Sequence, residues 1–142
     1  MQITAHRDFK RPRARVLAQF RNPAQMEAVL ADLGAQVTRI AAPPAAEWSG
    51  SLDWRGAPRR FHLTALEVVA HETMHLNIAA DIASALVALD FHDLPDGGCR
   101  VTARADLTAQ SLIARIALQS LRLVRGKTED RLRRVLGALG RG

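Results

Sequence analysis

The chain has no tyrosine, one cysteine and two lysines, and only 4% of its 142 residues are aromatic. Each shortage excludes something. With Cys99 alone, no intrachain disulfide can form, and a reducing cytoplasm is the compartment expected. With so few aromatics, the stacking platforms of single-strand nucleic-acid binders are missing, despite a net charge of +6. No nucleic-acid partner is expected, and the positive charge reads as an arginine-rich surface. No apolar run spans a bilayer, because Leu76 to Leu89 is interrupted by Asn77 and Asp81. The opening Met1-Gln2-Ile3-Thr4-Ala5 has no signal-peptide core, so a soluble protein is expected.

What is present is an ordinary globular balance, 48% hydrophobic and 24% charged, enough to build one domain over residues 1–142. Ile3, Ala5 and Arg7 alternate with polar neighbours, as in a short strand. Pro12 and Asn22-Pro23 are helix-start signals, and Gly34 closes the second of two short helices. From Gln36 the period changes to two. Residues 36–40, 47–54 and 83–91 alternate, and Asp93-Leu94-Pro95-Asp96-Gly97-Gly98 is a hairpin turn leading into a strand at 100–108. Ile113, Ala117, Leu121, Val124, Thr128, Leu132, Val135 and Leu139 then recur at steps of three and four, which predicts a long C-terminal helix with a bend near Gly126. Its first half is apolar over much of its circumference. Its arginines read as a solvated face, with anionic-membrane contact as a weaker expectation.

His71-Glu72-Thr73-Met74-His75 spells H-E-x-x-H. On a helix the two imidazoles would share a face and bind zinc, with Glu72 activating a bound water. A zinc metallohydrolase is therefore an alternative reading, with Asp90, His92 or Asp93 as candidate third ligands. The strand at 100–108 needs a partner across its hairpin, however, and a helix running to residue 92 would deny it one. Residues 74–80 are accordingly expected to be extended, with His71 and Glu72 in a bend and His75 on an exposed strand face. On this reading no metal and no cofactor is expected. His6 and His62 are isolated surface residues, and Cys99, after Gly97-Gly98, is an incidental thiol.

Strand, two short helices, about six consecutive antiparallel strands and a long C-terminal helix make an α+β order of elements. This order resembles the START-like superfamily, or SRPBCC domains, with its polyketide cyclase/dehydrase and coenzyme-Q-binding branches. The local matches are Phe9-Lys10-Arg11-Pro12 leading into a helix, the Trp54-Arg55-Gly56 turn, and Leu107 through Ser111-Leu112 to Leu121. The resemblance implies a helix-grip (START/Bet v 1-like) fold, a curved antiparallel sheet wrapped around the C-terminal helix. It also implies a cavity for a hydrophobic or lipid-like ligand. The inward positions are expected to be Trp48, Leu52, Trp54, Phe61, Leu63, Met74, Leu76, Ile78, Val87 and Leu89, with Leu118 and Leu121 as the opposite wall. None of these does acid–base chemistry, so no catalytic residue is assigned and a small apolar ligand is the partner expected. The same side chains would equally serve as a filled core in a partner-binding domain. The oligomeric state is open.

Overall fold

The computed structural model describes residues 1–141. Its elements run β1 (Gln2–Phe9), α1 (Arg13–Arg21), α2 (Pro23–Asp32), β2 (Gln36–Ala41), β3 (Ala45–Trp54), β4 (Ala57–Val69), β5 (Thr73–Ala80), β6 (Ala83–Asp93), β7 (Cys99–Ala109), α3 (Leu112–Leu123) and α4 (Arg125–Gly140). The strands form one antiparallel sheet of seven, ordered β1-β7-β6-β5-β4-β3-β2. Consecutive hairpins build it from β2 to β7, and β1 closes the far edge by pairing Gln2–Phe9 with Asp106–Cys99. This is the helix-grip arrangement, a curved sheet with all its helices on one face.

Local chemistry explains the elements. Asn22 caps α2 by accepting from the Ala24 amide at 3.0 Å, with Pro23 in the first turn. Ser111 caps α3 by accepting from the Ala114 amide at 3.1 Å. Each such cap satisfies an orphan donor and contributes about 1 kcal/mol. Period-two alternation puts one set of side chains from every strand on the helix-bearing face. The cross-strand row Ile3–Ala105–Val87–Leu76–Ala65–Ala46 shows it, with every member buried.

Helices α1, α2 and α4 cover one end of that face. Phe20 of α1 meets Phe91 of β6 edge to face, with ring centroids 5.1 Å apart. Helix α4 lies against β1, and Leu136 and Leu139 are buried there. Glycine makes this approach possible. A methyl group on Gly137 would sit 2.9 Å from Arg7 Cζ, and one on Gly140 would collide with the Phe9 ring. Gln25 of α2 ties the same helix end by donating to the Ala138 carbonyl at 2.6 Å.

The C-terminal helical stretch differs from the single long helix predicted. It is divided at Val124 (φ −122°, ψ 34°) into α3 and α4, two residues before Gly126. The physical reasons are local. Val124 is β-branched, Gly126 has poor helix propensity, and the Thr128 hydroxyl donates back to the Val124 carbonyl at 3.3 Å. The division lets α4 follow β1 while α3 leaves along β7 and stands over the other end of the sheet.

Candidate functional site

Two openings lie on the helix-bearing face, at opposite ends of β3, β4 and β5. The inner row of β4 reads Arg59, Phe61, Leu63, Ala65, Glu67: apolar in the middle, charged at each end. Phe61 is directly opposite Gly50 of β3, and a methyl group there would sit 2.7 Å from the Phe61 ring. That ring, with buried Leu63 and Leu76, closes the centre. The face is therefore split into two spaces.

The first space, a cleft of about 520 Å³, lies between α1, the Pro43-Pro44 turn and the start of β5. Its polar edge is Arg21, which donates to both Glu67 carboxylate oxygens at 2.7 and 2.9 Å and contacts His71 Nδ1 at 3.2 Å. The His71 amide donates to the same carboxylate at 2.7 Å. The hydrogen bond from Arg21, reinforced by that amide, holds the Glu67 carboxyl down at about 2 against the cost of its partial burial. Trp48 and Met74 also border this cleft but are only 1% and 4% exposed. The Trp48 indole donates to Glu27 at 2.8 Å, and Glu27 also pairs with Arg39. Those bonds, Arg39's first and Trp48's second, lower the Glu27 pKa.

The second space, a groove of about 270 Å³, lies beneath α3. Leu52, Trp54, Phe61 and Ile78 form its sheet wall, and Ala114, Ala117 and Leu118 its helix wall. The short alanines on the inner side of α3 hold the helix backbone close without filling the gap. Arg59 and Arg60 are the only ionisable lining residues. The Arg55 and Arg59 guanidinium carbons lie 4.9 and 5.6 Å from the Trp54 ring centroid.

The expected wall positions therefore do not form one cavity. Leu52, Trp54, Phe61, Ile78 and Leu118 come together in the groove, whereas Trp48 and Met74 lie at the other end. Trp48 faces α2 rather than the C-terminal helix. Leu63, Leu76, Val87 and Leu89 pack in the hydrophobic core, and half-buried Leu121 lines neither space. Ala114, Ala117 and Arg59 were not among the expected positions. Arg59 had a signal in the sequence, because period-two alternation places it on the face of Phe61 and Leu63.

His71 and Glu72 occupy the β4–β5 turn, His71 with φ of 63°, and residues 73–80 are extended. The helix that H-E-x-x-H chemistry requires is thus replaced by a turn and a strand. His75 sits on the opposite sheet face, between Leu66 and Ala88. Glu72 lines a separate polar cleft with Asp90, His92 and Asp93. Asp90 accepts from the Thr73 hydroxyl at 2.8 Å, and Asp93 pairs with Arg13 at 3.3 Å. Among the described residues, no three His, Cys, Asp or Glu side chains are grouped to hold a metal ion. Cys99 is fully buried, and its desolvation pushes the thiol pKa up.

Comparison with solved structures places this geometry in a known fold. A protein from Thermus thermophilus superposes with TM-score 0.72 at 15% identity, covering 99% of this chain and 94% of that one. The Zhui aromatase/cyclase from Streptomyces sp. R1128 gives TM-score 0.69 at 11% identity over 98% and 93%. Ara h 8.0201 gives 0.63 at 9% identity over 99% and 95%. No protein-family model and no curated protein sequence matches the chain. The chain has the START-like, Bet v 1-type helix-grip fold of these structures; identities this low carry the fold alone. Among the described residues, no helix is long and apolar enough to cross a membrane.

Proposed function

We propose that residues 1–142 form one ligand-binding domain that holds a small apolar molecule in the groove between α3 and the β3–β5 end of the sheet. The observation that carries this reading is the groove itself: about 270 Å³ walled by Leu52, Trp54, Phe61, Ile78, Ala117 and Leu118. A solvated apolar groove gains roughly 25 cal/mol per Å² of surface that a ligand covers. The larger cleft is the weaker candidate. Its polar edge, Arg21 and Glu67, is already satisfied by internal pairing, whereas the groove's exposed lining is almost wholly apolar.

Binding without catalysis is the reading supported. A groove whose only ionisable side chains are arginines has no general acid or base working near neutral pH. One structural relative is named as an aromatase/cyclase, and the groove residues here supply no proton-transfer group for such a reaction. Native mass spectrometry of gently purified protein, with titration of tryptophan fluorescence by quinones, fatty acids and polycyclic probes, tests the proposal. A mass shift for a bound apolar compound and a spectral change lost in Trp54→Phe are expected. An unliganded mass, with no response to any probe, refutes it.

A further inference from the structure

Arg59 is the one polar intrusion in the groove wall whose needs are unmet. Its Nε is buried and has no hydrogen-bond partner, the only such buried side-chain atom among the described residues. The alternation that turns Leu52 and Trp54 toward the groove turns Arg59 there too, since Arg59 pairs directly with Leu52. Asp53, the nearest carboxylate in sequence, falls on the opposite sheet face. Arg55, Arg59 and Arg60 surround the Trp54 end of the groove, and none has an ion pair among the described residues. A buried donor without a partner is costly, and a charged one most of all. Among the described residues, no carboxylate lines the groove to offset that cost.

We propose that the groove's ligand is an amphiphile with a carboxylate head, its acid group accepting from the Arg59 guanidinium and its apolar body lying between Phe61, Ile78 and Leu118. This rests on the apolar-ligand reading above and narrows it. Arg55 lies over the Trp54 ring and adds positive potential at that end of the groove, so an anion is attracted and an ammonium repelled.

Calorimetric titration with decanoate, decanol and decylammonium, all below their aggregation concentrations, separates the possibilities. Decanoate is expected to bind at least about tenfold tighter than decanol, from a charge-assisted bond to a partly buried guanidinium. Decylammonium is expected to be weakest. Arg59→Gln should abolish the preference, so that decanoate and decanol bind that variant equally, and Arg59→Lys should retain part of it. Thermal melts of both variants check that each folds. Equal affinities of decanoate and decanol in the parent protein would overturn the head-group assignment and leave the apolar groove standing. Failure of all three compounds to bind would overturn both.

A second inference rests on the other side of α3. Its inner line, Ala114, Ala117, Leu118 and Leu121, faces the fold, and Leu112, Ile116 and Leu123 recur along the opposite side beside Ile113. These outer residues are 73%, 49%, 88% and 48% exposed respectively. Around them are Arg115, Arg122, Arg125 and Lys127, with no acidic residue from Leu107 to Thr128. None of the four cations is ion-paired among the described residues. A second copy meeting this face across a two-fold axis would set like charges against like, which argues against a dimer.

The geometry points to an anionic lipid surface as the occupant of α3's outer face, with the apolar line in the interface and the cations at the headgroups. Docking there would bring the helix that roofs the groove against the bilayer. The test is co-sedimentation with phosphatidylglycerol-containing vesicles and with pure phosphatidylcholine vesicles. Binding to the first only, weakened by salt and abolished in the double variant Leu112→Gln/Leu123→Gln, is expected. Both positions are solvated, so the variant should fold, which a melt verifies. No binding to anionic vesicles overturns the proposal. So does a dimer in light scattering that the same double variant dissociates.

Discussion

If the groove beneath α3 is the binding site, its size sets a limit that a homologous series of ligands will reveal. A volume of about 270 Å³ accommodates about nine groups of water or methylene size at roughly 30 Å³ each. Along a series of straight-chain alcohols, each methylene that enters should add about 0.8 kcal/mol, roughly fourfold in Kd. The gain should stop near about nine carbons, where further methylenes remain in water. Ala117→Leu places about three extra carbons in the groove from the helix side, with little loss of helix propensity. It should bring the plateau forward by about three methylenes, weakening nonanol by about 2.4 kcal/mol, or roughly fifty-fold, and leaving hexanol nearly unchanged. Fluorescence titration with Trp54 as reporter measures the whole series. A chain-length profile identical in the two proteins would refute the assignment of the site, and a flat profile in the parent would refute the groove itself.

Other outcomes follow from the same geometry. Glu67→Gln should cost about 1–2 kcal/mol near neutral pH, less than the full shift implies because the Arg21 side chain is 38% exposed and screened. Since the folded carboxyl sits at about 2 and the unfolded one at 4.5, that contribution is complete above 4.5 and lost as pH falls toward 2. Urea denaturation across this range should show the two proteins converging, and a constant gap down to the acid limit would contradict the pairing. Gly140→Ala should destabilise by about 1–3 kcal/mol, because the added methyl meets the Phe9 ring where α4 crosses β1; an unchanged melting temperature would mean the ring yields freely. Glu72→Gln should leave stability and ligand affinity unaltered, and stoichiometric zinc that disappears with His71→Ala and His75→Ala would restore the metallohydrolase.

The sheet was readable because its signals agree with one another. The alternation at 100–108, the Asp-Gly-Gly turn and the need for a hairpin partner together forced residues 83–91 into a strand, against a composition equally suited to helix. That chain of dependence also disposed of H-E-x-x-H, a motif whose chemistry lives on a helix. The division of the last helix was less legible. Gly126 marked the region, but the turn falls at Val124, and nothing in the period of three and four shows that α3 and α4 must follow different parts of the sheet.

The expected wall positions fall into separate spaces for a reason of scale. Trp48 and Trp54 share a strand face, which the sequence shows, but six residues at about 3.3 Å each separate them by about 20 Å. A shared face is not a shared pocket. Whether one cavity or two spaces result depends on the centre, where Gly50 leaves room that the Phe61 ring takes, and that is a contact between residues eleven apart in sequence. The apolar pattern was also the wrong filter for the groove. It selects Leu63, Val87 and Leu89, whose surfaces are already spent on one another, and passes over Arg59 on the same face because it is charged. The side chains best placed to meet a ligand are those the core leaves unfinished: a half-exposed tryptophan, alanines too short to close a gap, and an arginine nitrogen with nothing to bind.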